Sequence, residues 1–283
     1  MVYRRDFRNV KRKDSFFQRS SLTMILIILN VVLFLIFLLV LSVNESFLEF
    51  IAIKPSNFLT GGYLWTLLTS MFMHGGFFHL FVNMFSLFFL GSLAEKIIGR
   101  RRFFWLYLSS GIVGGLFFVL FAFLGQFVLR GDFIFGGMND FAVGASGALF
   151  GILGVLAVIL PKKEIYLIAG PIIVIVLQFL IGGFATGSTA RVINFAATAL
   201  IFIMIFAIFS SNLFLRKLAV PIRLPFWAAP IAAIVPLVAI GFFVKLPIGN
   251  TAHFGGLVVG LIYGAYLRSK YSKKVKMLNK IIR

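Results

Sequence analysis

Eight stretches of about twenty mostly apolar residues recur along this chain, near 22 to 42, 76 to 94, 103 to 124, 141 to 160, 164 to 182, 192 to 211, 226 to 244 and 248 to 268. A helix needs roughly 20 such residues to cross the ~30 Å hydrocarbon core of a bilayer. Backbone polar groups cannot stay unpaired in hydrocarbon, so repeated runs of this length restrict the fold to a bundle of helices. The composition agrees: 61% of the residues are hydrophobic, 12% are charged, and the mean hydropathy is +1.06. The chain reads as an all-α polytopic integral membrane protein, and soluble fold classes are excluded.

The net charge of +19 would suit a nucleic-acid binder, but the basic residues follow the membrane instead. With eight spans, alternate connections fall on opposite sides. One side collects the N-tail, Lys96 with Arg100 to Arg102, Lys162 and Lys163, Arg216 with Lys217 and Arg223, and the C-tail from Arg268 onward, 23 of the 27 Lys and Arg. The other side has Lys54, Arg130, Arg191 and Lys245. By the positive-inside rule both termini are expected in the cytoplasm. The expected organisation is a basic N-tail over 1–21, a membrane-embedded domain over 22–268, and a basic C-tail over 269–283. The tails read as topology signals with some attraction to anionic membrane lipid, and no nucleic-acid partner is expected. The first apolar run is too long for a signal-peptide core, and Asp6 and Asp14 weaken any reading of the N-tail as a mitochondrial presequence. The absence of cysteine removes disulfides, thiol catalysis and Cys-ligated metal, and neither a metal nor a cofactor is expected. The 37 phenylalanines read most simply as lipid-facing bulk, and Trp227 as an interface anchor.

Few polar residues remain inside the spans. All three histidines, His74, His79 and His253, fall near the start of a span that begins on the non-cytoplasmic side. Asn83 lies about seven residues into the second span, Ser146 about five into the fourth and His253 about five into the eighth. At ~1.5 Å rise per residue they share a depth on the order of 8 to 10 Å below the outer boundary. Polar side chains are costly there, so their coincidence is a functional signal.

Glycines indicate which of these residues meet. Gly144, Gly147, Gly151 and Gly154 surround and follow Ser146, and Gly256, Gly260 and Gly264 follow His253 at GxxxG spacing. Small residues at that spacing let membrane helices approach closely enough for a hydroxyl to reach an imidazole. A serine becomes a competent nucleophile when an adjacent base takes its proton, and His253 would be that base. His79 and Asn83, four apart on one helix face, would donate to a developing oxyanion, aided by backbone N–H groups at the start of the serine helix. Of the eight acids only Glu95 and Glu164 lie close to a span, both at its cytoplasmic end, so the expected unit is a Ser/His dyad.

These residues resemble a known family. H-x4-H-x3-N at His74, His79 and Asn83, G-x-S-G at Gly144, Ser146 and Gly147, and a His followed three residues later by Gly at His253 and Gly256 are similar to the three motifs of rhomboid intramembrane serine proteases. Trp65, Glu95 and Gly99 fit the same pattern, with the match running over about 60 to 160 and 224 to 268. The chain departs from it at Thr66 and Ile97, where arginines are common, and at Phe150, where a tyrosine often stacks under the histidine. The resemblance implies a prokaryotic, archaeal-like member: a six-helix core with an inserted helical hairpin over 162–223, about eight spans in all. It also implies Ser146 as nucleophile, His253 as general base, His79, Asn83 and Gly144 at the oxyanion hole, and His74 as a supporting residue.

The expected function is hydrolysis of peptide bonds in or near transmembrane segments of other membrane proteins. The expected place is a prokaryotic plasma membrane, with the active site facing the non-cytoplasmic side. Two rivals were weighed. A catalytically silent relative that binds membrane-protein clients would have lost its Ser or His, and both are present. A transporter would carry internal repeats and an ionisable path through the bilayer, and the sequence has neither.

Overall fold

A computed structural model describes residues 21–182, 187–242 and 249–281. Most of the N-tail and Lys245 lie outside the described residues. The first helix, α1 (Leu22–Val43), starts where Ser21 accepts a hydrogen bond from the Met24 amide. Glu95 adds three more bonds there, from the Leu22 and Thr23 amides and the Thr23 hydroxyl at 2.7–2.9 Å. A carboxylate at a helix N-terminus satisfies orphan N–H groups and the positive end of the dipole together. A long loop then packs short helical turns against the core and leads to α2 (Phe77–Ile98), which contains a π-helical turn over Leu87–Gly91. At Gly99 the chain reverses into α3 (Arg100–Gly125).

The serine helix, α4 (Ser146–Ile159), is the hub. It is followed by β1 (Glu164–Ile168), α5 (Ala169–Gly182), α6 (Gly187–Ala207), β2 (Pro221–Pro225), α7 (Ala229–Gly241), α8 (Asn250–Lys270) and α9 (Ser272–Ile281). Only Ser146, Phe150 and Val158 of α4 escape full burial. At 14 residues α4 is about 21 Å long, short of a bilayer core. Protein on every side frees it from the lipid-matching constraint and lets irregular backbone lie above it inside the membrane.

The seams of α4 with α3 and α8 are made of backbone. A Cβ on Gly256 would run into the Gly147 carbonyl, one on Gly260 into the Gly151 carbonyl, and one on Gly154 would lie 2.9 Å from the Leu257 carbonyl. On the third side, a Cβ on Gly114 of α3 would lie 2.8 Å from the Ala252 carbonyl of α8, and one on Gly151 would meet Ser110 of α3. The two glycine series thus mesh as their spacing implies. A buried polar pair, Asn30 Nδ2 and Tyr107 hydroxyl at 3.4 Å, joins α1 to α3.

The structure departs from the sequence reading in several places. The all-α reading misses a two-stranded antiparallel sheet, in which Glu164 pairs with Pro225 through to Ile168 with Pro221. The fifth apolar run therefore opens as a strand, its burial alternating where Glu164 and Tyr166 turn outward. Among the described residues, four helices are long and apolar enough to cross a membrane by themselves: α1, α2, α3 and α6. The other four runs form shorter or more polar helices among the described residues: α4, α5, α7 and α8. Ser146 does not lie five residues into a helix starting near 141. Residues 141 to 145 are irregular, and Ser146 is the first residue of α4. The C-tail, expected as a plain basic segment, forms α9, which packs Val275 and Leu278 against the core and donates from Asn279 to the Ile159 carbonyl at 2.8 Å.

Candidate active site

The segment that delivers Ser146 is pinned on both strands of its backbone. Ala142 exchanges two hydrogen bonds with Ile53 at 2.8 and 3.1 Å, and the Gly144 amide donates to the Ser70 carbonyl at 2.8 Å. Gly144 has φ +119°, a conformation that side-chain-bearing residues rarely adopt. A Cβ there would also lie 2.8 Å from His79 Nε2. Position 144 thus requires glycine twice, once for the turn into α4 and once for the approach of the His79 ring.

Across the α4/α8 seam, His253 Nε2 lies 2.8 Å from Ser146 Oγ. His253 is buried one turn into α8, and its ring stacks on Phe150 at 4.4 Å between centroids and 16° between planes. The stack holds the imidazole plane while leaving its edge toward the serine, as expected for an aromatic one turn after Ser146. The other ring nitrogen, Nδ1, is buried with no hydrogen-bond partner among the described residues, and no carboxylate serves it. For Nε2 to accept the serine proton, Nδ1 must carry hydrogen.

The donor side comes from α2. The Gly75 amide donates to His79 Nδ1 at 3.3 Å, which assigns the ring hydrogen to Nε2, the nitrogen beside Gly144. Asn83 donates one amide hydrogen to the His79 carbonyl at 3.1 Å, leaving the second for another acceptor. The first-turn amides of α4 lack intrahelical partners by construction, and the positive end of its dipole lies at Ser146. His74 packs its ring edge-on against His79, 5.1 Å between centroids, with Phe34 on its other side, and both of its nitrogens are buried and unpartnered.

Every expected site residue, His74, His79, Asn83, Gly144, Ser146 and His253, therefore falls in one cluster where α2, α4 and α8 meet. Sequence reasoning missed the main-chain pins at Ile53 and Ser70 and the Glu95 cap of α1. A carbonyl or amide partner carries no side-chain signature, so the first two had no signal to find. Of the residues flanking the motifs, Trp65 donates from its indole to the Phe50 carbonyl at 2.9 Å and ties down the long loop.

Comparison with known proteins points to one family. The sequence profile of the rhomboid domain matches residues 61–204, just over half of the chain, a stretch that runs into α6 and ends before His253. The chain is similar to the rhomboid protease GluP of Bacillus subtilis (strain 168), 30% identical over 184 residues, 63% of this chain and 33% of GluP. It is similar to rhomboid protein 1, mitochondrial, of Saccharomyces cerevisiae, 34% identical over 107 residues, 38% of this chain and 28% of that protein. It is also similar to the inactive RHOMBOID-like protein 8 of Arabidopsis thaliana, 35% identical over 100 residues, 35% of this chain and 24% of that protein. The chain spans less than half the length of each of these relatives. With the profile covering most of the helices that build the site, the chain belongs to the rhomboid family.

Proposed function

We propose that the protein is an intramembrane serine endopeptidase that cleaves other membrane proteins in or near their transmembrane segments. The observation that carries this reading is the 2.8 Å contact between Ser146 Oγ and His253 Nε2. Ser146 Oγ attacks the scissile carbonyl carbon as its proton passes to His253 Nε2. The oxyanion is met by His79 Nε2–H, the free Asn83 amide hydrogen and first-turn amides of α4. The tetrahedral adduct collapses, the C–N bond breaks, and His253 returns its proton to the leaving amine. A water then attacks the acyl-enzyme, giving its proton to Nε2, and collapse releases the acid and restores Ser146. His74 holds the His79 ring by its edge contact.

The site opens toward the non-cytoplasmic side of, in this reading, a prokaryotic plasma membrane, and the substrate helix comes in sideways near α7. A substrate must unwind locally to present its carbonyl, so helix-weak residues near the cut are favoured. The six core helices form one membrane-embedded domain over 22–268, with 162–223 as an insertion and basic tails on either side. An inactive relative at 35% identity keeps client binding without cleavage as the competing reading.

Labelling of the purified protein with a fluorophosphonate, beside Ser146→Ala and His253→Ala, separates the two. Labelling that needs both residues is the expected result. A folded wild-type protein that neither labels nor cuts a membrane-anchored peptide would establish the client-binding reading instead.

A further inference from the structure

The starts of α1 and α3 leave a shallow groove of about 360 Å³ between them, lined by Leu22, Arg100, Arg101 and Phe104. Leu22 is buried and Phe104 half-buried, so the floor is apolar, whereas Arg100 and Arg101 are exposed and set two adjacent guanidinium groups at the rim. Trp105, more than half exposed, meets the Phe104 ring at 5.3 Å between centroids. An indole beside basic residues at the end of an apolar helix marks the boundary between membrane and water. Farther along α3, Leu108 and Ile112 follow Phe104 at four-residue spacing and are half-buried like it, so an apolar strip runs from the groove toward the bilayer centre.

The charge of this corner is one-sided. Its carboxylate, Glu95, accepts three hydrogen bonds from the start of α1, one of them from the amide of Leu22, the residue that lines the groove. Arg102 serves another contact, donating to the Tyr271 hydroxyl at 2.6 Å. Arg100 and Arg101 are the cations of the groove itself. A guanidinium meets a phosphate through paired N–H donors in one plane, and basic pockets between membrane helices take anionic head groups. The apolar floor sets a second requirement, a hydrocarbon chain, which a free phosphate lacks. The first helix stands to gain from such an occupant, because of its 22 residues only Leu22, Thr23, Leu26, Asn30 and Phe34 are buried.

We propose that this groove is the binding site of one anionic glycerophospholipid, its phosphate held by Arg100 and Arg101 and an acyl chain laid over Leu22 and Phe104 and along Leu108 and Ile112. A phosphatidylcholine offers the same phosphate but brings a quaternary ammonium against the arginines, so a head group of net negative charge is selected. The bound lipid clasps α1 to α3 at the place where Glu95 fixes the first amides of α1. It stabilises the bundle whether or not the chain cleaves peptides.

For the test, the full chain is purified in a nonionic detergent, stripped of lipid and titrated with phosphatidylglycerol or phosphatidylcholine of the same acyl composition. Bound lipid is counted by native mass spectrometry, and Tm is followed in parallel. Phosphatidylglycerol is expected to bind on the order of 10-fold more tightly than phosphatidylcholine and to raise Tm. In Arg100→Gln/Arg101→Gln that preference should fall below about 3-fold, and in Lys273→Gln/Lys274→Gln, which removes the same charge from α9, it should persist. Equal loss in the two variants would reduce the effect to diffuse surface attraction and overturn the site, as would equal binding of the two lipids by the wild-type chain. Glycerol 1-phosphate, the head group without chains, should leave Tm unchanged; a rise matching that of phosphatidylglycerol would make this a free-anion site and overturn the lipid. A phosphatidylglycerol with a photoreactive acyl chain tests the placement on the wild-type protein, with no variant that must fold. Adducts are expected on α3 between Phe104 and Ile112 and at the start of α1, and adducts confined to other helices overturn the proposal.

Discussion

In the proposed mechanism His253 is the base, and since among the described residues no carboxylate meets its far nitrogen, what holds the ring is the face of Phe150, 4.4 Å away. If the stack orients the imidazole, Phe150→Tyr retains activity. Phe150→Ala lowers kcat/KM by roughly 2- to 13-fold, the range that aromatic pairs of ~0.5–1.5 kcal/mol convert to, measured on a membrane-anchored peptide. An unchanged Phe150→Ala would mean that burial alone fixes the ring. On the donor side, Asn83→Ala removes one oxyanion hydrogen and is expected to lower kcat by on the order of 100-fold with little change in KM. A rise in KM at constant kcat would make Asn83 a ground-state contact. Gly144→Ala puts a methyl group against His79 at a φ that disfavours it, so fluorophosphonate labelling should fall with the fold retained.

At the scale of elements, what places these residues is the absence of side chains between helices. Gly256→Leu inserts four carbons where a single Cβ already meets the Gly147 carbonyl. The expected outcome is a protein that still inserts into membranes but no longer labels at Ser146, because α4 and α8 have been pushed beyond hydrogen-bond reach. Wild-type labelling in that variant would refute the close seam. The helix ends matter in a different way. Glu95 receives three hydrogen bonds from the start of α1, so Glu95→Ala should cost ~1.5–3 kcal/mol in stability, read as a lower Tm in detergent. The glycine periodicities were legible beforehand because period and residue size are local properties. The strand at Glu164–Ile168 was not, since an apolar run of that length suits a strand or a helix until its partner Pro221–Pro225, more than 50 residues away, is known.

For the whole molecule, the distribution of charge makes a claim about orientation that single cysteines can check. Thr60→Cys, in the loop between α1 and α2, and Lys273→Cys, on α9, should label with a membrane-impermeant maleimide from opposite faces of oriented vesicles. Labelling from the same face would require an even number of crossings between them and a new topology. The same bundle lets the Ser146 cluster sit within the membrane's thickness: α4 starts late, and the irregular backbone just before it is hydrogen-bonded to Ile53 and Ser70.

The sequence by itself determined the solvent, the six polar and glycine residues that cluster where α2, α4 and α8 meet, and the need for α4 and α8 to approach, because hydropathy and small-residue spacing are written along the chain. Only the tertiary structure decided that Ser146 begins its helix, that backbone at Ile53 and Ser70 holds the segment before it, and that α6 lies along α2 through phenylalanine rings. Those outcomes depend on main-chain partners and ring contacts between segments far apart in sequence, and such pairings exist only once the helices have packed.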